Sequence, residues 1–254
     1  MFRAFLAEPD SHHMQVEPYR WRLTPTYLAH LYKAVTQQHH RELLPILRPL
    51  LPREAVIFDV GAHAGQFAKL FARLAPEGRI WSFEPGSYAR SILRTALWLN
   101  RVGNVTVVPM GLGEAPGIGT LNLPIKRPGS FGFGLAHLGA GEERWSRVAA
   151  EPIALGSIDA FAAAQSVDRL DFIKADIEGW EGAMLRGGLA TLRRLRPRLL
   201  LELTGDHLAR AGDTLAGTYA LLAELGYHPY LPDSTGGLVR IDTMREGDIW
   251  WLPE

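Results

Sequence analysis

The chain has 254 residues, 47% hydrophobic and 21% charged, a composition suited to one large soluble domain or two small ones. Its 27 Lys and Arg are balanced by 27 Asp and Glu, which removes the overall basic character that nucleic-acid backbone recognition draws on. With no cysteine, disulfides, thiolate metal sites and cysteine nucleophiles are excluded.

In chain order, residues 1–20 read as irregular, and the apolar patch in MFRAFLAEPDSHH is too short for the core of a secretory signal. No stretch approaches the ~20 apolar residues that cross a bilayer, so a cytoplasmic protein without membrane insertion is expected. From about Thr26 to Leu47 the text predicts one or two helices. Leu28, Leu31, Tyr32, Val35, Leu43 and Leu44 supply a broken apolar stripe, and Pro45 is expected to end or kink it. His30, His39 and His40 lack the spacing of a compact metal-ligand set and read as a solvated helix face. Residues 1–50 are therefore taken as an N-terminal extension, whose helices offer a surface for a homodimer, ahead of a main domain at 51–254.

The rhythm then alternates. Strands are predicted at 55–60, 79–83, 104–110, 169–176 and 196–203. Helices are predicted from His63 to about Leu74, over Ser87–Asn100, and through EGAMLRGGLATLRRL. Buried strands alternating with helices predict an α/β fold, a mostly parallel sheet with helices on both faces. GTLNL at 119–123 and VAAEPIAL at 148–155 read as short strands. The glycine-rich stretch between them is longer than a compact domain tolerates without a reason. Phe131, Phe133 and Trp145 argue against a plain linker, so 124–147 is expected to be a substrate lid, with an interface loop as the rival. Lys126 and Arg127 read as a solvated turn or a contact for an acid. A helix at 220–226 and antiparallel strands in GYHPY, LVRIDT and DIWWLPE close the chain.

The most informative stretch is VIFDVGAHAGQFAKLF. An apolar strand ends at Asp59, and Gly61 and Gly65 frame a tight turn into a helix, whose N-terminus offers free N–H groups. The spacing is not that of the dinucleotide fingerprint G-x-G-x-x-G. Asp59 at the mouth of the turn would repel a pyrophosphate and welcome an ammonium group. Glu84, ending the next strand, can accept both hydroxyls of a ribose. An adenosyl amino acid satisfies both carboxylates better than NAD, and that ligand is S-adenosylmethionine.

The order of FDVGAHAG, FEPG, NVTVVPMGLG, IDAF, DFIKADIEGWE, LRGG and RPRLLLEL resembles the FkbM family of class I methyltransferases over about residues 54–230. The resemblance implies a Rossmann-like, seven-stranded fold and an S-adenosylmethionine-dependent methyltransferase. It most often implies transfer to oxygen of a small molecule, sugar or secondary metabolite. It places Asp59, Gly61 and Gly65 at the methionine end of the cofactor, Glu84 on the ribose, and the backbone of Gly111–Leu112 beside the adenine. His63 stands where the family often has Asn, either touching the ligand or simply opening the helix.

At the chemistry end, Lys174 and Asp176 share side-chain parity, with Asp176 at the strand's C-terminal tip, where open parallel sheets bind ligands. Asp176 is the leading candidate to orient an acceptor hydroxyl or take its proton. Glu202 ends the next strand, and His207, five residues on, is the candidate base by intrinsic pKa. Asp176, Glu202 and His207 also compose an oxygen–nitrogen set suited to Mg²⁺. N-methylation, an NAD(P)-dependent oxidoreductase and a nonenzymatic ligand-binding protein stay open as alternatives.

Overall fold

The computed structural model describes residues 15–18, 23–127, 130–131, 137–138 and 147–254, with side chains over 23–122 and 149–254. The side chains of the expected lid, Phe131, Phe133 and Trp145 with Lys126 and Arg127, lie outside the described residues. A short strand β1 (Gln15–Pro18) precedes helix α1 (Pro25–Thr36). The Tyr27 amide donates to the Thr24 hydroxyl at 3.1 Å, and Pro25 takes the first helical position, where a missing N–H is not needed. A 3₁₀ turn at Arg41–Leu43 leads into α2 (Leu44–Leu50). Pro45 does not end or kink a helix as expected. It lies in the first turn of α2, for the reason that favours Pro25 in α1. The expected stripe holds in part: Leu31, Val35, Leu43 and Leu44 pack against buried clusters, whereas Leu28 and Tyr32 are exposed, and α1 also buries Tyr27 and Ala34.

The alternating unit follows as β2 (Val56–Val60), α3 (Gln66–Leu74), β3 (Arg79–Phe83), α4 (Ser87–Leu99) and β4 (Val105–Val108). Next come β5 (Gly111–Leu112), β6 (Gly117–Arg127), β7 (Ser130–Phe131), β8 (His137–Leu138) and β9 (Arg147–Gly156). After α5 (Ile158–Ala164) and β10 (Phe172–Ala175), the single helix expected after the fourth principal strand divides into α6 (Glu181–Arg186) and α7 (Leu189–Leu195). The break falls at Gly187–Gly188, where a Cβ on Gly187 would stand 2.1 Å from the Gly113 carbonyl oxygen. The chain closes with β11 (Arg198–Leu203), α8 (Gly205–Arg210), α9 (Leu215–Glu224), β12 (Tyr227–Pro232), β13 (Leu238–Arg240) and β14 (Gly247–Pro253).

The main sheet runs β13-β12-β14-β11-β10-β2-β3-β4. The five strands from β11 to β4 are parallel, and β14 joins β11 antiparallel. Among the described residues it has eight strands rather than the expected seven, because the three-residue β13 pairs antiparallel with β12 at the edge. The Rossmann-like class stands. One face carries Phe58, Val60, Ile173, Leu199 and Leu201 against α5, α6, α7 and α9. The other carries Ile57, Ile80, Phe172, Leu200 and Trp250 against α2 and α3. A second sheet, ordered β1-β9-β6-β7 with β5 and β8 paired onto it, stands beside the first. Among the described residues no helix is long and apolar enough to cross a membrane.

Helix α1 is tied to this framework by Lys69 of α3. The buried ammonium donates to the carbonyls of Ala34 and, at 2.8 Å, Gln37, both at the C-terminal end of α1 where carbonyls lack helical partners. The next residues are clamped to the start of α3 as well. The Gln38 side chain donates through Nε2 to the Gln66 carbonyl at 2.9 Å, and the His39 backbone amide donates to the Gln66 side-chain Oε1 at 3.2 Å.

Candidate active site

Strand alternation builds the site. On the face that carries Ile57, Ile80 and Phe172, the next side chains of the same parity are Asp59, Ser82 and Lys174, in register across β3, β2 and β10. Two residues further along come Glu84, Gly61 and Asp176. Glu202 and Asp248 share this parity and sit directly opposite one another on β11 and β14. One face of the sheet thus turns from apolar to charged at the C-terminal ends of its parallel strands. The order reverses at β2, with β3 on one side and β10 on the other, the place where open α/β sheets leave a ligand crevice.

The glycine turn is positioned tightly. The Gly61 and Ala62 amides both donate to the Phe83 carbonyl at 3.0 Å. Gly61 has φ +73°, and a Cβ there would lie 2.0 Å from the Asp176 carbonyl oxygen, so only glycine lets the two strand ends approach. Gly65 caps α3 at φ +85°. The helix therefore starts at Gln66 rather than at His63, which lies in the turn at φ +47°.

Asp59 is fully buried beneath this turn. Its Oδ2 accepts from the Ser82 hydroxyl at 3.2 Å, and its Oδ1 has no hydrogen-bond partner among the described residues. Burial pushes its carboxyl up to about 6, against the opposing pull of Lys174. Glu84 is buried too. Its Oε2 accepts from the His63 amide and its Oε1 from the Gly86 amide, both at 2.8 Å. Burial raises it to about 7 despite these two donors. Each Glu84 oxygen keeps a second lone pair for a ligand hydroxyl.

At the opposite pole, the Lys174 ammonium stands 3.6 Å from the Asp176 carboxylate and donates to the Gly61 carbonyl at 3.3 Å. Burial works to raise Asp176, but Lys174 and a hydrogen bond from Glu202 prevail and hold it below the usual carboxylate range. Glu202 is the protonated member of the pair: its bond to Asp176, then burial, push it up to about 8. His207 lies at the start of α8, with Nδ1 3.0 Å from Glu178 Oε2.

These groups surround a cavity of about 370 Å³, within the range of small-molecule sites. Of the residues singled out in the sequence, Gly61, His63, Glu84, Gly111, Leu112, Asp176 and Glu202 line it. Asp59 lies under the floor, Gly65 fixes the helix start, and His207 stands behind Glu178, which is itself in the wall. The Mg²⁺ expectation is corrected. Among the described residues no group of three or more His, Asp or Glu is arranged to hold a metal ion; Glu202 is committed to Asp176, and His207 to Glu178.

Several lining residues carry no site signal in the sequence. Lys174 shows only its strand parity. His40, expected on a solvated helix face, stacks on Phe67 with ring centroids 4.2 Å apart, and both line the cavity. His30, expected on the same face, meets the lining residue Tyr88 at 2.9 Å from its hydroxyl. Glu151 arrives from the second sheet and accepts from the Ser87 amide at 3.0 Å. No local signal marks His40 or Glu151, because each enters from an element far away in sequence.

Comparison with known proteins adds a family. Residues 59–229 match the family described as Methyltransferase FkbM domain. Among solved structures, the chain resembles a methyltransferase FkbM from Methylobacillus flagellatus KT, at TM-score 0.50 and 16% identity over 89% of this chain. It covers 59% of that protein, less than two thirds of its length. A precorrin-6y C5,15-methyltransferase from Geobacter metallireducens GS-15 matches at TM-score 0.44 and 16% identity, covering 86% of this chain and 90% of the other. A SAM-dependent O-methyltransferase from Thermotoga maritima matches at TM-score 0.43 and 13% identity, covering 90% and 71%. No curated protein matches the sequence.

Proposed function

The chain belongs to the FkbM methyltransferase family, and from that premise we propose that it moves a methyl group from S-adenosylmethionine to a hydroxyl oxygen of a small molecule. The observation that carries this reading is a single cavity with Glu84 at one pole and the Lys174–Asp176–Glu202 cluster at the other.

The residues present fit the cofactor. Glu84 offers two buried oxygens to a ribose diol. The Gly61 turn leaves no room for a side chain, and Oδ1 of Asp59, without a partner among the described residues, supplies negative potential beneath it. Gly111 and Leu112 form a wall for the adenine. When bound, the cofactor supplies a methyl group already activated by its positive sulfur, so the protein needs no nucleophile of its own.

What remains for the chain is alignment, exclusion of water and handling of one proton. Asp176, kept ionised by Lys174, accepts a hydrogen bond from the acceptor hydroxyl and draws off its proton as the oxygen becomes nucleophilic. Phe67, Trp180 and Leu112 in the wall keep bulk water out. His207 acts through Glu178, fixing that carboxylate in the wall. Oxygen is favoured over nitrogen because an ionised carboxylate beside an amine would hold it as ammonium, without a free lone pair.

Calorimetric titration tests the cofactor: S-adenosylhomocysteine should bind and NADH should not. Transfer of labelled methyl into hydroxylated acceptors, and not into their amino counterparts, tests the oxygen assignment. Uptake of NADH without S-adenosylhomocysteine, or label on nitrogen alone, would overturn the respective part.

A further inference from the structure

Three carboxyl groups lie side by side across the strand ends at the acceptor pole. Asp176 is hydrogen-bonded to Glu202, and Glu202 is the direct cross-strand partner of Asp248. Asp176 and Glu202 line the cavity, whereas Asp248 stands behind them on β14. Among the described residues one cation, Lys174, pairs with the row, and it is engaged with Asp176. Three adjacent carboxyls with one ammonium cannot all be ionised at low cost, since like charges at such spacing repel strongly in a partly buried site.

We infer that Glu202, backed by Asp248, is a charge-compensating residue that holds a proton when the cavity is empty or contains the neutral thioether product, and releases it to solvent when a sulfonium occupies the cavity. The inference rests on the cofactor reading given above. It makes the site tell S-adenosylmethionine from S-adenosylhomocysteine by electrostatics alone, because the two ligands share every group except the charged sulfur and its methyl. With the substrate bound, the sulfonium replaces the proton as the countercharge of the row. Methyl transfer would form the bond between acceptor oxygen and methyl carbon as the S–C bond breaks and its electron pair returns to sulfur, so the positive charge on sulfur would be lost. Glu202 then takes up a proton, the acceptor's own if Asp176 passes it along their shared hydrogen bond. The product is left in a cavity that no longer favours a positive ligand.

The groups that act on Glu202 are Asp176, just beyond the end of β10, Glu178 from the following turn, and Asp248 from β14, while Lys174 of β10 meets the row at Asp176. His40 and His63 act on the row from further away, His40 through Asp248 and His63 through Asp176. Glu202 sits at about 8 and Asp248 is raised by burial and by Asp176, consistent with a protonated row before ligand enters. Since a bound cation lowers the affinity of Glu202 for its proton, linkage requires the converse. Preference for the sulfonium grows as pH rises toward 8 and fades as pH falls.

The test is calorimetry of S-adenosylmethionine and S-adenosylhomocysteine binding across pH, in buffers of different ionisation enthalpy. The ratio of the two dissociation constants removes Glu84, Asp59 and the ligand amino group, which meet both molecules alike. In the natural protein the preference for the sulfonium should grow about tenfold from about pH 6.5 to about 8.5. Its binding should release more protons than binding of the product. Glu202→Gln should flatten the ratio while S-adenosylhomocysteine still binds. Asp248→Asn should move the transition to lower pH, because it removes a charge that keeps Glu202 protonated. A pH-independent ratio with equal proton release in the natural protein overturns the inference even though both ligands bind. Failure of both ligands to bind overturns the cofactor reading instead.

Discussion

At the scale of single residues, Gly61 carries the sharpest constraint. It combines a left-handed backbone with a contact that a methyl group cannot share. Gly61→Ala should destabilise the fold by at least about 1–3 kcal/mol, read by urea unfolding, and should also abolish S-adenosylhomocysteine binding, because the β2 and β10 tips must part. Glu84→Gln should be milder for folding and severe for the ligand. It exchanges one ribose acceptor for a donor facing an amide donor, so affinity should fall about tenfold or more in a calorimetric titration. The acids at strand tips were legible in the text because an apolar run ending in a carboxylate is unusual whatever the fold. Their roles were less so. Asp59 reads like a ligand contact but is sealed under the turn, since its parity directs it inward beside Ser82. Lys174 is buried for the same reason; its shared parity with Asp176 is visible in the string, but the hydrogen bond that ties Asp176 to Glu202 on another strand is not.

At the scale of elements, strand and helix positions followed from apolar runs and punctuation, and most boundaries moved by only a few residues. The errors have local causes. Pro45 starts α2 instead of ending its predecessor, and Gly187–Gly188 splits one expected helix because the Gly113 backbone passes so close. The second sheet depends on pairings between distant segments, as of β1 with β9 and β6 with β9, which periodicity does not encode. Lys69 shows how much one side chain can do between elements. It is charged, buried, and bonded to the last carbonyls of α1; burial, with Arg73 nearby, lowers its pKa. Lys69→Met should leave those carbonyls without a donor at a cost of about 1–3 kcal/mol. Hydrogen exchange should show α1 opening well before the main sheet; α1 and β10 losing protection together would contradict this.

At the scale of the whole molecule, three buried carboxyls give the ligand-free protein a distinctive response to pH. Burial raises Asp59 from 3.8 to about 6, and Glu84 and Glu181 each from 4.5 to about 7. Glu181 accepts from the Ile177 amide at 2.9 Å through one oxygen, and its other oxygen has no partner among the described residues. Each group binds its proton more tightly folded than unfolded. Between the unfolded and folded values the native state therefore carries the extra protons, and stability falls as pH rises through that window. Urea midpoints should be higher at about pH 5 than at about pH 8, and Glu181→Gln should reduce the difference. A midpoint that climbs across the same interval would show these carboxyls ionised at little cost.

The clasp between Lys69 and α1 also bears on where the protein can be cut. By sequence similarity the recognisable stretch begins at Asp59, yet its first helix sends an ammonium backward to anchor residues that precede it by more than twenty positions. Those residues lead directly to His40 in the cavity wall. A fragment trimmed to the recognisable stretch would surrender an anchor point and a piece of its own binding chamber at once. Shuffling such modules between relatives should therefore succeed only when helix and lysine travel together.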